Sequence, residues 1–154
     1  MKILLALALA CSSFAARAQT HEVASWFAES FLEFPHDVKE AAQDGKRLML
    51  YFWLEGCPYC KELVEVTFRD PKIVAKTRRG FMPVAINVRG AREVTWTDGR
   101  TMSEKQLASL LEVRWTPTLV FFDEKGAIAL RVSGYQAPAE FERVLNQAAG
   151  PSRD

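Results

Sequence analysis

Cys57 and Cys60 stand two residues apart in the stretch EGCPYCKEL, residues 55–63. A pair at this spacing can close a disulfide, share a soft metal ion, or pass two electrons by thiol–disulfide exchange. As an inert cross-link it would contribute little, because so short a loop gains little closure entropy. A closed tetrahedral zinc site needs four ligands, and the chain adds only His21 and His36, both upstream and without ligand-like spacing. Two-coordinate copper(I) between the thiolates, as in a metal carrier, stays open. Exchange uses the spacing most fully: a residue three positions on lies nearly one helical turn away, where it can attack a mixed disulfide formed at the first cysteine. The same steps run backwards oxidise the partner, so this chemistry does not set a direction.

For such a pair to react, the first thiol must lose its proton easily, which a helix N-terminus favours. The flanking sequence supplies one. RLMLYFWL, residues 47–54, is a continuous apolar run of the kind found in a central strand buried on both faces. Pro58 then opens a helix, at the position where its missing N–H costs least, with Leu63, Val66 and Tyr59 expected along one stripe. The other elements follow by periodicity and punctuation. VASWFAESFLEF, residues 23–34, predicts a helix ending before Pro35, and Asp37 predicts the cap of a second helix stopped at Gly45. DPKIVAKTRR predicts a short helix, FMPVAINV a strand, and TDGR the tip of a small hairpin. Ser103 caps an amphipathic helix, two strands meet at a turn over Asp123 to Gly126, and APAEFERVLNQAA closes the chain as a helix. Alternating strands and helices followed by a hairpin predict an α/β fold: a central mixed β-sheet with helices on both faces.

The length, 154 residues with 49% apolar composition, suits one domain with a sizeable core. Residues 1–18 have the order of a secretory signal: Lys2, an apolar run from Ile3 to Ala10, then the small-residue site ARA, with cleavage expected after Ala18. LALAC resembles a lipoprotein signal ending at Cys11, but Ala8 stands where such signals carry Leu, and the apolar run before it is very short. Cleavage removes Lys2 and Arg17, so 20 basic residues become 18 against 19 acidic ones, a formal charge of −1. Such a balance gives no footprint for nucleic acid or an anionic membrane. The organisation expected is a signal peptide over 1–18, a helical extension over 19–35, the main domain over 36–150 and a tail over 151–154. Export would place Cys57 and Cys60 in an oxidising compartment, the periplasm.

LYFWLEGCPYCK resembles the active-site strand and turn of thioredoxins, and VRWTPTLVFFDEKG resembles their later segment, where a cis-proline lies beside the disulfide. KELVEVTFRDPKIV is similar to the corresponding part of periplasmic thioredoxin-like proteins, including the C-terminal domain of the reductase DsbD. DGRTMSEKQLASLLEVRWTPT and RVSGY resemble the SoxW type of exported thioredoxin, associated with sulfur oxidation. The resemblance, over roughly residues 36–149, implies a thioredoxin fold with Cys57 as attacking thiol, Cys60 as resolving thiol and Pro117 as the cis-proline. It implies that Thr116 offers its backbone to an extended substrate segment added as a strand.

Two departures bear on mechanism. Gly56 stands where thioredoxins carry Trp, and Tyr51 where they carry a buried Asp that moves the resolving thiol's proton. Glu55 is the candidate substitute as proton relay, while Trp53 reads as core. Pro58-Tyr59 matches many glutaredoxins, which implies a potential above thioredoxin's, toward roughly −200 to −230 mV. The resemblance thus implies a cofactor-free, monomeric thiol:disulfide oxidoreductase acting on protein thiols and disulfides. The reducing direction would need a membrane electron donor of DsbD or CcdA type. The readings kept beside it are a copper carrier and a dithiol oxidant.

Overall fold

The computed structural model describes residues 22–150. After an N-terminal segment the elements run α1 (Phe34–Gln43), β1 (Arg47–Trp53), α2 (Pro58–Glu65), a 3-10 turn (Thr67–Arg69), α3 (Pro71–Gly80) and β2 (Phe81–Asn87). A short hairpin of β3 (Glu93–Thr95) and β4 (Thr101–Ser103) follows, then α4 (Glu104–Leu110), β5 (Thr118–Phe122), β6 (Ile128–Ser133) and α5 (Pro138–Ala149). The main sheet has the order β2-β1-β5-β6, with β1 parallel to β2 and antiparallel to β5, and β5 antiparallel to β6. The expected mixed sheet covered by helices on both faces is therefore present. Among the described residues no helix is long and apolar enough to cross a membrane.

Strand β1 explains why the sequence showed no alternation there. Met49, Tyr51 and Trp53 join one core with Cys60, Leu63, Phe68, Phe141 and Leu145, under α2 and α5. Leu48, Leu50 and Phe52 join the other with Phe34, Trp96, Leu107 and Phe122, under α1 and α4. A strand buried on both sides needs apolar residues at every position. The β3–β4 hairpin has a similar purpose: it lowers Val94 and Trp96 into the second core, with the Trp96 ring edge-on to Phe34 at 5.7 Å.

Three expectations are corrected. The predicted helical extension does not exist over 22–33, which consists of turns and irregular chain; its residues 19–21 lie outside the described ones, as do the signal segment with Cys11, His21 and the tail over 151–154. This segment is a strap around the exposed edge of the sheet. Ala24 and Phe27 enter the first core, the Ala28 N–H donates to the Pro83 carbonyl of edge strand β2 at 2.8 Å, and Leu32 enters the second core. A helix would line these apolar residues on one stripe, whereas two cores on opposite faces divide them. Leu32, buried at φ 63, is in the left-handed region that breaks a helix, and after Glu33 as its N-cap helix α1 starts at Phe34. Asp37 accordingly lies in the first turn of α1 rather than capping it, and accepts a hydrogen bond from Ser30 Oγ at 2.7 Å. The third correction concerns α2. Its buried stripe is Cys60, Leu63 and Val64, while Tyr59 and Val66 are exposed, because the helix ends at Glu65 and the 3-10 turn swings Phe68 inward in place of Val66.

Candidate redox site

Strand β1 delivers the chain to a tight turn in which the Cys57 N–H donates to the Leu54 carbonyl at 3.2 Å. Gly56 in this turn has φ 75, a conformation that a side chain would oppose. Cys57 is the N-cap of α2 and Pro58 its first residue. Cys57 and Cys60 form a disulfide, with Cα atoms 5.2 Å apart.

The two sulfurs are unlike in access. Cys60 is fully buried in the first core, whereas Cys57 retains 8% exposure. The Cys57 sulfur accepts the Cys60 N–H at 3.1 Å and the Thr116 hydroxyl at 3.3 Å. The Thr116 carbonyl oxygen lies 3.5 Å from the same sulfur. Two donors at a helix N-terminus are what a thiolate at Cys57 would need after reduction.

Thr116, just before β5, thus lies directly against Cys57, and its peptide bond to Pro117 is cis. Their loop is fixed from below. The Thr118 hydroxyl donates to the Trp115 carbonyl at 2.7 Å, and the Gly134 N–H to the Pro117 carbonyl at 2.7 Å. Among the described residues the Thr116 N–H has no backbone partner, which leaves that edge open. Two large aromatics beside these motifs in the chain are exposed: Tyr59, between the cysteines, by 60% and Trp115, next to Thr116, by 73%.

The remaining candidates are placed as follows. Glu55 is exposed in the turn before Cys57, and no hydrogen bond joins it to either cysteine. Trp53 is buried in the first core. Tyr51, at the position of the family's Asp, is fully buried, and burial pushes its hydroxyl well above the ordinary tyrosine value, with the charge of Glu22 adding to the effect. Its O–H donates to the Glu22 carbonyl at 2.8 Å. His36 is on α1, across the sheet from the cysteines, 3.8 Å from Glu40. It groups with Asp37 and Glu40 as oxygen and nitrogen donors, without a sulfur.

Sequence reasoning missed two residues here. Trp115 adjoins a motif it had singled out, and a large apolar residue beside a substrate-facing segment was the available signal. Glu22 had none: its carboxylate accepts the Gly56 N–H at 3.2 Å, a contact created only when the strap docks.

Comparisons with known proteins agree on the family. The family model described as a thioredoxin-like domain matches residues 34–149. A "thiol:disulfide interchange protein DsbD" from Photorhabdus laumondii is 31% identical over 102 residues, 65% of this chain and 16% of that protein. The chain thus spans less than a fifth of that relative's length. A thioredoxin-fold protein from Helicobacter pylori superposes with a TM-score of 0.67 at 22% identity, covering 89% of this chain and 85% of the other. The C-terminal domain of Neisseria meningitidis DsbD in its oxidised form gives 0.55 at 19% identity, covering 75% and 89%. At these identities the structural likenesses speak for the fold.

Proposed function

Because the chain belongs to the thioredoxin-like domain family and holds its cysteine pair as a thiol:disulfide oxidoreductase, we propose that it reduces protein disulfides in the periplasm. The observation that carries the assignment of roles is the unequal access of the two sulfurs. An external sulfur meets Cys57 first, and Cys60 is buried where only Cys57 can reach it.

In the reducing direction the Cys57 thiolate attacks one sulfur of a substrate disulfide. The S–S bond breaks, a mixed disulfide forms, and the displaced substrate thiolate takes up a proton. The Cys60 thiol then gives up its proton and attacks the Cys57 sulfur, closing the Cys57–Cys60 bond and releasing the second substrate thiol. Two electrons and two protons have passed to the substrate. A membrane donor of DsbD or CcdA type, consistent with the likeness to DsbD, would return them; without one, an oxidising compartment would hold the pair as a disulfide.

Thr116 and Pro117 would receive the substrate segment as an added strand along the open edge beside Cys57, with Tyr59 and Trp115 covering its apolar side chains. Glu55 is supported as the relay to solvent by its position two residues before Cys57. Tyr51 is unsuited to that task, since burial raises its hydroxyl and Glu22 already holds its hydrogen. The reading places the protein outside the cytoplasm by cleavage after Ala18, acting as a monomer.

The test is Cys60→Ser expressed in the native compartment. Mixed disulfides between Cys57 and partner proteins should accumulate and disappear on adding dithiothreitol. No trapped partner from Cys60→Ser, with copper(I) bound stoichiometrically by the native pair, would replace the exchange reading with the carrier. The potential of the native couple tests direction: about −230 mV or below fits a reductant, and about −120 mV an oxidant.

A further inference from the structure

The strap is joined to the redox turn at a single carboxylate. Glu22 Oε1 accepts the N–H of Gly56, the residue immediately before the attacking cysteine, at 3.2 Å. The position of that carboxylate is built in. The Glu22 carbonyl accepts the Tyr51 hydroxyl at 2.8 Å, and the Trp26 ring N–H donates to the Phe68 carbonyl at 3.0 Å. The Phe27 ring packs between Tyr51 and Phe68, at centroid distances of 5.6 and 5.3 Å. The Ala28 N–H is bonded to Pro83 on the sheet edge. Gly56 leaves the rim without a side chain, and a Cβ there would meet no atom within 4 Å. The carboxylate can therefore approach the turn from the open side.

We propose that Glu22 is a positioning residue that sets the poise of the couple: its carboxylate, fixed on the Gly56 amide, opposes negative charge on Cys57 and so favours the disulfide over the dithiol. This deepens, and rests on, the reductant reading, because disfavouring the thiolate lowers the potential and makes the reduced protein a better donor. The contest at Cys57 is between two signs. The helix N-terminus, the Cys60 N–H and the Thr116 hydroxyl stabilise the thiolate, and the Glu22 carboxylate opposes it. The other charged groups on the elements meeting here are Glu55 in the turn, Lys61, Glu62 and Glu65 on α2, Glu29 and Glu33 on the strap, and Arg114 before Trp115. Glu22 differs from them in being held by hydrogen bonds at both its carbonyl and its carboxylate. Sequence position gave no hint of this, since 34 residues separate Glu22 from Gly56.

The experiment compares the native protein with Glu22→Gln, which keeps an oxygen for the Gly56 N–H and removes the charge, and with Glu22→Ala, which removes both. In the reduced proteins, the pH profile of Cys57 alkylation should shift down by about half a unit in both variants, a threefold gain in thiolate below the transition. Their equilibria with glutathione should move about threefold toward the dithiol at neutral pH. Raising salt from about 0.01 M to about 1 M should move the native profile the same way, and move it further down than that of Glu22→Gln. The native arm of the salt series needs no substitution, so it can be read even if a variant folds poorly. A Glu22→Gln profile identical to the native one overturns the proposal, whether or not Glu22→Ala differs, because the hydrogen bond alone would then account for the residue. The absolute native potential judges the reductant reading separately, since that reading can fail while the difference between variants stands, and the reverse.

Discussion

Two parallel neighbours, β1 and β2, leave the sheet at the same end, and each gives its turn to a glutamate from elsewhere in the chain. At the end of β2 the glutamate is Glu104, the first residue of α4, with a side chain 2% exposed. It accepts the Asn87 N–H at 3.0 Å and an Arg92 guanidinium N–H at 2.7 Å. Gly90 passes so close that a Cβ there would run into the carboxylate. At the end of β1 the glutamate is Glu22, half-buried, with one backbone N–H. The first arrangement surrounds a buried carboxylate with backbone and guanidinium donors and fixes a loop. The second leaves a charge accessible to solvent beside the atoms that react. The same bond between a carboxylate and a backbone N–H therefore serves stability where it is sealed and chemistry where it is open.

The sealed turn should give the larger effect. Glu104→Ala strips the Asn87 N–H of its partner, and an orphaned amide of this kind costs about 2 kcal/mol. For a chain of this size the melting temperature should fall by roughly 6–8 °C. The reduction potential of the folded variant should match the native one. A potential displaced as far as in Glu22→Gln would mean the two turns are coupled, and the contrast between them would fail.

A smaller effect is expected at the open end, in binding alone. Trp115 is 73% exposed, so Trp115→Ala should leave the melting temperature where it is. If the ring covers an apolar side chain of the docked segment, losing that contact costs roughly 1–1.4 kcal/mol, and KM for a protein disulfide should rise about fivefold to tenfold. The turnover rate at saturation should not change, because the ring touches neither sulfur. An unchanged KM would remove Trp115 from the docking edge and leave Thr116 and Pro117 to define it.

What the sequence made legible divides along the same line. β1, the Pro58 start of α2, the Ser103 cap and the β5–β6 hairpin each depend on neighbours in the chain, and each stands where local pattern placed it. The cysteine pair and the Thr116-Pro117 segment were recognisable because each is a short contiguous motif. The strap was not, although its apolar residues were plain. Trp26, Phe27 and Phe34 have helical spacing, but spacing does not reveal that Phe27 and Phe34 belong to cores on opposite faces of one sheet. Val66 failed for the opposite reason, since its stripe was sound and the helix simply ended one residue before it. Glu22 and Glu104 were invisible alike, being contacts between distant segments rather than patterns within one.

The smallest effect tests the strap at its other end, where the sign should reverse. Asp37 is buried and its carboxyl accepts from Ser30 Oγ on the strap, yet burial outweighs that bond and raises its pKa above the ordinary carboxylate value. A raised folded pKa means that the folded protein holds the proton more tightly than the unfolded chain. Stability therefore falls as pH rises from the ordinary carboxyl value through the raised one, and stays reduced above it. Asp37→Asn keeps an acceptor for Ser30 and has no charge to desolvate. Its melting temperature should exceed the native one at neutral pH, and the gap should close below the ordinary carboxyl value. A gap independent of pH, or a native protein more stable at neutrality, would show that the Asp37 charge is compensated by its neighbours. The strap would then be tied by charge at both ends, and Glu22 would no longer stand apart as the end where charge bears on chemistry alone.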